Sequence, residues 1–495
     1  MNLPASGTQS TGEAIRSRTF TRYEAALVLL FVLTLPLCNP WVRGDGVGYY
    51  AFARSILIEH RLDFTKDWLH SNASFRMGRV DAEGHINADQ YTVTGHLANH
   101  FSIGPAILWS PFLILAHAGV LLDDHFGGKI AADGFSKPYL VAMALGTAVY
   151  GFLAILISFA SARRFVPEHW AFLAALGIWF GSPLPVYMYF NPSWSHAQAA
   201  FAVALFLWYW IRTRGSRAWW QWAILGAIGG LMLNVYYVSG ILLLLPLMES
   251  IGVYWSSWRT GTGKTQKVQS ARQVFVGDIL FAAALVATFL PTLITKRILY
   301  GSLLESGYDY HWSLNSPAFL KVCFSADHGL FSWNPVLILA AVGLALLRKY
   351  DRTLSLYLII ALVMFLYVIG CYPDWDGISS FGNRFFIPLT AVFVIGLAAF
   401  FDSFARAWHK RGAAVTAASV TGVLILWNLG LIFQWGLHWI PERGPVSWRA
   451  AAYNQFAAVP EEAASNLKTY LTSRGALMNR IEERDVQQLK SREAK

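Results

Sequence analysis

The chain has 495 residues, of which 39 are Lys or Arg and 29 Asp or Glu, so charged side chains make up only 14% while aromatic ones reach 15%. A soluble domain carries roughly a quarter charged residues, and the apolar residues here fall in blocks of about twenty, the length that crosses a bilayer. This excludes a soluble enzyme, a disordered tail, a collagen and a small disulfide scaffold, and it excludes a transmembrane barrel, whose strands alternate polar with apolar.

Taken in chain order, the apolar blocks predict about eleven spans near 23–37, 139–160, 171–189, 196–211, 219–233, 236–254, 275–293, 333–347, 354–370, 385–401 and 413–433. The fold class is therefore all-α, a polytopic transmembrane helical bundle. With the amino terminus in the cytoplasm, alternation places Arg16, Arg18, Arg22, Arg163, Arg164, Arg212, Arg214, Arg217, Arg259, Lys264, Lys267, Arg272, Arg348, Lys349, Arg352, Arg406, Lys410 and Arg411 on the cytoplasmic side. The short opposite connections carry only Lys296, Arg297, Lys321 and Arg384. Excess basic charge thus fixes orientation by the positive-inside rule, and no basic stripe with interleaved aromatics marks a nucleic-acid site. The Arg-rich start lacks a small-residue cleavage site and reads as a retained signal anchor.

One apolar stretch breaks the parity. Residues 103–122 are long enough to span, yet a crossing there would move Arg163, Arg164 and the 212–217 cluster outside. The expectation is an outer juxtamembrane helix punctuated by Pro105 and Pro111. The organisation that follows is a cytoplasmic segment 1–22, a membrane module 23–433 with a large first outer loop 41–137, and an outer extension 434–495. Localisation follows as a multi-pass protein of the inner membrane with its active face on the periplasmic side. Cys323 and Cys371 both fall in outer loops, which leaves room for one disulfide.

The short basic loops contain no phosphate-binding glycine loop, because Gly261-Thr262-Gly263-Lys264-Thr265 has neither a preceding strand nor a following helix. Chemistry is expected on the outer side, where the first loop holds ten acids. Asp45 stands out among them. It follows the first span by a few residues and opens a helix expected to run to about Ile58. An N-cap role and a general-base role are both open for it. Tyr49 and Tyr50 follow in the same helix as interfacial aromatics or sugar-stacking rings.

Later outer segments add Lys296 and Arg297, then Asp327-His328 and the pair Asp374-Trp375-Asp376, then Arg384 after Ser380-Phe381-Gly382-Asn383. Cations at outer span ends run against the positive-inside trend, and lipid-linked phosphate is their natural partner, with headgroup anchoring the alternative. The Asp374/Asp376 pair is a weak metal pattern, and a solvated or Arg-paired role is favoured. His196 opens a span and either touches substrate or is capped by Ser193 or Ser195. Residues 219–254 are too short for two full crossings, so their turn at 234–239 is expected below the outer surface, under a cavity, with Gly226, Gly229, Gly230 and Gly240 allowing close packing.

Together, GDGVGYYAFARSI around Asp45, the 102–122 segment, the Ala162-Arg163-Arg164 exit, the GAIGGLMLNVYYVSGILLLLPL hairpin and the outer HGLFSWNP and SSFGNRFFIP segments resemble the GT-C superfamily. These are polytopic glycosyltransferases that use polyprenyl-phosphate sugars, including the protein mannosyltransferase and lipid A aminoarabinose transferase branches. The resemblance implies inverting transfer, metal-independent or weakly metal-dependent, from a polyprenyl-phosphate-linked sugar to a lipid, polysaccharide or protein acceptor. Asp45 would deprotonate the acceptor, and Arg384, Lys296 and Arg297, with His328, Tyr49, Tyr50 and His196, would bind substrate. No cofactor is expected, and no ligand pattern supports a divalent metal. The chain departs from the family pattern where Gly46 follows Asp45 in place of a second acid, and where Asn191 and His196 stand near the fourth span in place of another. A lipid-linked sugar flippase and a non-catalytic scaffold on the same fold are the alternatives.

Overall fold

The computed structural model describes residues 20–260, 270–305, 307, 312–408 and 410–493. The expectations for Arg16, Arg18, Lys264, Lys267 and the segment 261–265 lie outside these. The first part of the chain forms α1 (Arg22–Thr34), α2 (Asp45–Arg54), α3 (Thr65–His70), α4 (Ala73–Arg76), α5 (Gly104–His125), α6 (Lys137–Ala162), α7 (Glu168–Gly181) and α8 (His196–Thr213). Then come α9 (Trp219–Val235), α10 (Leu244–Thr260), α11 (Ala271–Tyr300), α12 (Phe319–Phe324), α13 (Leu330–Trp333) and α14 (Val336–Leu346). The chain continues through α15 (Arg352–Cys371), α16 (Thr390–Ala407), α17 (Lys410–Gly436), α18 (Trp448–Phe456), α19 (Ala458–Thr472) and α20 (Arg474–Glu493). Among the described residues the only β-pairing is two isolated bridges, both in the first loop.

The chain is a multi-pass membrane protein. Seven helical stretches among the described residues are long and apolar enough to cross a bilayer, including α5, α6, α11, α15 and α17. Five of the eleven expected spans correspond instead to the shorter α1, α7, α8, α9 and α14. Ion pairs sort the helix ends. Arg163 bonds Glu24 at 3.3 Å and Glu168 at 2.7 Å, Arg217 bonds Glu249 at 2.8 Å, and Arg214 pairs with Asp351. These contacts gather the starts of α1, α7 and α15 with the ends of α6 and α8 and with Glu249 of α10, the grouping that alternation requires. The opposite end carries the 41–137 loop and is called the loop end below.

The bundle closes around α16, which is buried almost throughout. Gly343 of α14 and Gly396 of α16 make the crossing possible: a Cβ on Gly343 would lie 1.8 Å from the Gly396 carbonyl oxygen. Small residues let two backbones touch in this way. Gly226 and Gly230 of α9 serve the same purpose, but against α11, where a Cβ would fall 2.1 Å from the Phe281 oxygen and 2.5 Å from that of Leu285.

Polar backbone within the bundle is covered by protein, as a hydrocarbon surrounding demands. Where α7 breaks before Pro183, Asn428 Nδ2 donates to the Phe180 and Ser182 carbonyls at 2.8 Å each, and Asn334 Nδ2 donates to Gly181 at 3.3 Å. The α9–α10 turn is handled likewise. Asn234 donates to Thr288 O at 2.6 Å and accepts from Thr292 at 2.7 Å, while Ser102 Oγ donates to Val235 O at 2.8 Å. Helix α11 runs on for eight residues beyond Thr292, roughly 12 Å, so the turn sits well below the loop end, where the sequence placed it.

Helix α5 is one continuous element of 22 residues despite Pro111. Trp109 Nε1 donates to Thr147 Oγ1 at 2.8 Å, Phe112 packs on Tyr150 at 5.9 Å, and His117 Nδ1 lies 2.6 Å from Tyr139 Oη. It therefore lies antiparallel to the loop-end half of α6. The other half of α6 is met by Phe31, whose ring stacks on Phe152 at 4.4 Å, and by Trp179, whose ring lies tilted to it at 5.8 Å.

Candidate active site

Asp45 is the first residue of α2, and its seat is narrow. Gly44 precedes it at φ +53°, a conformation that favours glycine. A Cβ on Gly46 would fall 2.0 Å from Ser193 Oγ, so α2 is pressed directly onto the segment before α8. Trp194 Nε1 donates to Arg43 O at 3.0 Å and fixes the approach. Gly44 is the N-cap and offers no side chain to the helix start, and the Asp45 carboxylate does not turn back to supply one. It accepts instead from Arg384 Nη1 at 2.6 Å, across 339 positions of sequence. Glu59, Asp63 and Asp67, by contrast, are tied within the first loop to Arg54 and Arg61.

Arg384 begins the 3-10 turn that leads into α16. Its guanidinium stacks 4.4 Å over Trp194 and 5.5 Å from the Phe385 ring. The turn before it is held by Asn383 Nδ2, which donates to Trp375 O at 3.0 Å. The arginine side chain is 10% exposed but that of Asp45 is 34% exposed, which leaves the carboxylate reachable while its partner is buried.

Further cations flank the pair. Lys296 is buried near the end of α11, with Nζ 3.2 Å from His100 O and 4.9 Å from the Tyr300 ring centroid. Arg79 bonds Phe75 O at 2.8 Å. Burial pulls its pKa down, against the opposing charges of Asp45 and Asp89. Burial also pushes the His100 imidazole down to about 4, with Asp45 opposing and Lys296 and Arg79 reinforcing, so it is neutral at pH 7. Arg384, Lys296 and Arg79 thus gather around Asp45 and His100 at the loop end.

The sequence-expected residues separate accordingly. Tyr49 joins the site, packed on Phe101 at 4.8 Å. Tyr50 turns into the first-loop core, where its hydroxyl donates to Gly134 O at 2.7 Å and its ring meets Trp109 at 6.2 Å. His196 is buried between Tyr187 and Tyr236, at 4.8 and 5.9 Å, with no capping bond from Ser195. Arg297 is exposed and bonds back to Gly301 O, away from Lys296. His328 lies on the far side of the 372–383 loop, buried, with Nδ1 3.0 Å from Asp376 O. Burial pushes its pKa down to about 4. Arg79, His100, Trp194 and Tyr236 were not singled out by sequence, although Tyr236 belongs to the turn expected under a cavity.

The extension packs on the same end. Tyr470 Oη donates to Leu37 O at 2.8 Å, Glu482 accepts from Asn72 and Ser74 N at 3.0 and 2.6 Å, and Asp485 pairs with Arg43. Between it and α17 lies an apolar cavity of about 720 Å³, lined by Leu37, Phe433, Leu467, Met478 and Ile481 and reaching Asn39 and Arg43 near Asp45. Cys38, Cys323 and Cys371 are all free and buried.

These features define a polytopic α-helical membrane protein with a carboxylate–guanidinium pair at one end and the cations Lys296 and Arg79 nearby. No protein-family model matches the chain, and no curated protein matches it. It is similar to the solved structure of ArnT from Cupriavidus metallidurans bound to undecaprenyl phosphate, at 12% identity over 83% of this chain and 70% of that one, with a TM-score of 0.48. It is also similar to two structures from Archaeoglobus fulgidus. One is the oligosaccharyltransferase AglB with an inhibitory peptide and a dolichol-phosphate, at 15% identity over 88% of this chain and 54% of that one, TM-score 0.43. The other is an oligosaccharyltransferase tethered to an acceptor peptide, at 15% identity over 88% and 55%, TM-score 0.40. The chain spans about half the length of these two oligosaccharyltransferase chains.

Proposed function

We propose that the chain is an integral-membrane glycosyltransferase that moves a sugar from a polyprenyl-phosphate donor to an acceptor on the periplasmic side, with Asp45 as general base. The observation that carries this reading is the Asp45–Arg384 pair at 2.6 Å, formed between a reachable carboxylate and a buried guanidinium. Concentration of the basic loops at the other end argues that this face is the outer one, and the resemblance read from the sequence points to the same chemistry.

In the reaction, the acceptor oxygen attacks the anomeric carbon, its proton passes to Asp45, and the bond from that carbon to the phosphate oxygen breaks. The leaving polyprenyl phosphate carries the electron pair. Negative charge grows on that phosphate, so fixed cations nearby stabilise the transition state. Arg384 and Lys296 would supply them. Before donor binds, Arg384 is engaged by Asp45, and an arriving phosphate competes for it. The exchange frees the Asp45 carboxylate to accept the acceptor's proton.

The test is to incubate the purified chain in detergent with a polyprenyl-phosphate sugar and to follow released polyprenyl phosphate and glycosylated product by mass spectrometry. Formation of both supports the assignment. Movement of the lipid across a vesicle membrane without sugar transfer would replace it with a flippase.

A further inference from the structure

Two sequence features left unused by the reaction meet behind Arg384. Asp327 and His328 come from the connection between α12 and α13, and Asp376 from the loop after α15. The Asp374/Asp376 pair, a weak metal pattern in sequence, is not what forms here. Asp376 instead joins Asp327 and His328, and one ligand atom from each of the three lies within 4.8 Å of the others.

The imidazole links the two acidic segments. His328 Nδ1 is 3.7 Å from Asp327 Oδ1 and 3.0 Å from the Asp376 main-chain oxygen. Ligands about 2.1 Å from one ion, at tetrahedral or octahedral angles, stand roughly 3.0–3.4 Å apart, so the three side chains would draw in on an ion, and Nδ1 would give up its bond to the Asp376 carbonyl if it were the ligand. The Asp376 carboxylate is partly used, since Oδ1 accepts from Ile378 N at 3.1 Å.

Two polar atoms of the cluster are left without partners. Asp327 Oδ1 and His328 Nε2 are both sealed from solvent without a hydrogen-bond partner, and the His328 side chain is fully buried. Buried polar atoms are nearly always satisfied. The nearby guanidinium, Arg384, is held by Asp45. His328 also has φ +54°, a left-handed backbone that a non-glycine residue adopts only when its surroundings impose it.

We propose that Asp327, His328 and Asp376 bind one divalent first-row ion of the Mn²⁺ or Zn²⁺ kind, the class suited to one imidazole and carboxylate oxygens. The ion ties the 325–329 segment to the 372–383 loop and so sets the turn from which Arg384 projects: a Cβ on Gly377 would lie 3.4 Å from Arg384 Cγ. Its role is positional, since Arg384 itself faces Asp45.

The full chain, purified in detergent and freed of metal by chelator, is titrated with MnCl₂ while free Mn²⁺ is followed by electron paramagnetic resonance, with ZnCl₂ as competitor. One ion per chain is expected, weakened at least tenfold in Asp327→Asn and in Asp376→Asn and unchanged in Asp374→Asn. Melting curves of the metal-free variants check that each is folded, and His328→Gln provides a further variant if one is not. Absence of stoichiometric binding of either ion overturns the proposal, as does binding that survives both Asn variants. Binding abolished by His438→Gln instead would place the ion at the separate His438, Glu442 and Asp485 cluster and would equally overturn it. The readout is binding, so it stands or falls apart from glycosyl transfer.

Discussion

Replacing Arg384 with Gln removes the one charge that reaches from α16's leading turn to Asp45. Two effects are expected, and they differ in size. Stripping one partner from a buried ion pair costs about 3–5 kcal/mol, but Asp45 is 34% exposed and water recovers part of the loss, so the expected destabilisation is about 2 kcal/mol. Loss of the stacking over Trp194 at 4.4 Å adds to it, by roughly 0.5–1 kcal/mol. For donor binding, a charge-assisted hydrogen bond to phosphate is worth about 1.5–3 kcal/mol, which converts to roughly a 10- to 150-fold weaker dissociation constant. Arg384→Lys keeps the charge but not the planar fork and should fall between. Native mass spectrometry of the purified chain with undecaprenyl phosphate measures the affinity, and a melting curve measures stability. Affinity in Arg384→Gln equal to wild type, with the melting point lowered, would refute the phosphate role and leave Arg384 only structural.

Adjacent residues give a sharper contrast: Lys296→Met should weaken the same ligand about tenfold or more, whereas Arg297→Met, exposed and bonded to Gly301 O, should change affinity less than twofold. Gly46→Ala should cost about 1–3 kcal/mol by overpacking, because its Cβ would meet Ser193 Oγ at 2.0 Å, and Ser193→Gly in the same chain should restore the melting point. The extension should loosen with pH. Asp485 and Glu442 hold the His438 imidazole up to about 9 against burial, so the stabilisation is complete below the ordinary value near 6.5 and is lost as pH rises through about 9. Hydrogen exchange in α20 should accelerate between pH 7 and 10 in wild type and show no such transition in His438→Gln; a transition of equal size in both would remove His438 as its origin.

The helical bundle was legible in sequence because bilayer thickness imposes block length and the basic loops impose parity. The depth of the α9–α10 turn was legible for a similar reason, since too few residues remained for two crossings. Asp45 and Arg384 were legible separately, one by its nearness to the first span and one as a cation on the wrong side. Their contact was not, because 339 positions separate them. Neighbouring residues proved the hardest to sort. Consecutive side chains on a helix point about 100° apart, so Tyr49 and Tyr50 cannot both face the site, nor Lys296 and Arg297. Only an amphipathic stripe would tell which one does, and α11 is apolar nearly all round until its end. Arg79 lies in a loop, where no periodicity exists to place it. The docking of the extension rests on scattered contacts such as those of Glu482 and Asp485, and nothing in a charge-balanced helix singles them out.

The central claim, that Asp45 takes the acceptor proton at an outer site holding a polyprenyl-phosphate donor, is tested most directly by Asp45→Asn. The measurement is the single-turnover rate of sugar transfer with donor saturating, in wild type and in the variant, with donor affinity determined in parallel. Asparagine keeps the shape but cannot accept the proton, so the rate should fall about 10²- to 10⁴-fold while undecaprenyl phosphate still binds. An unchanged rate in folded, donor-bound Asp45→Asn would contradict the account.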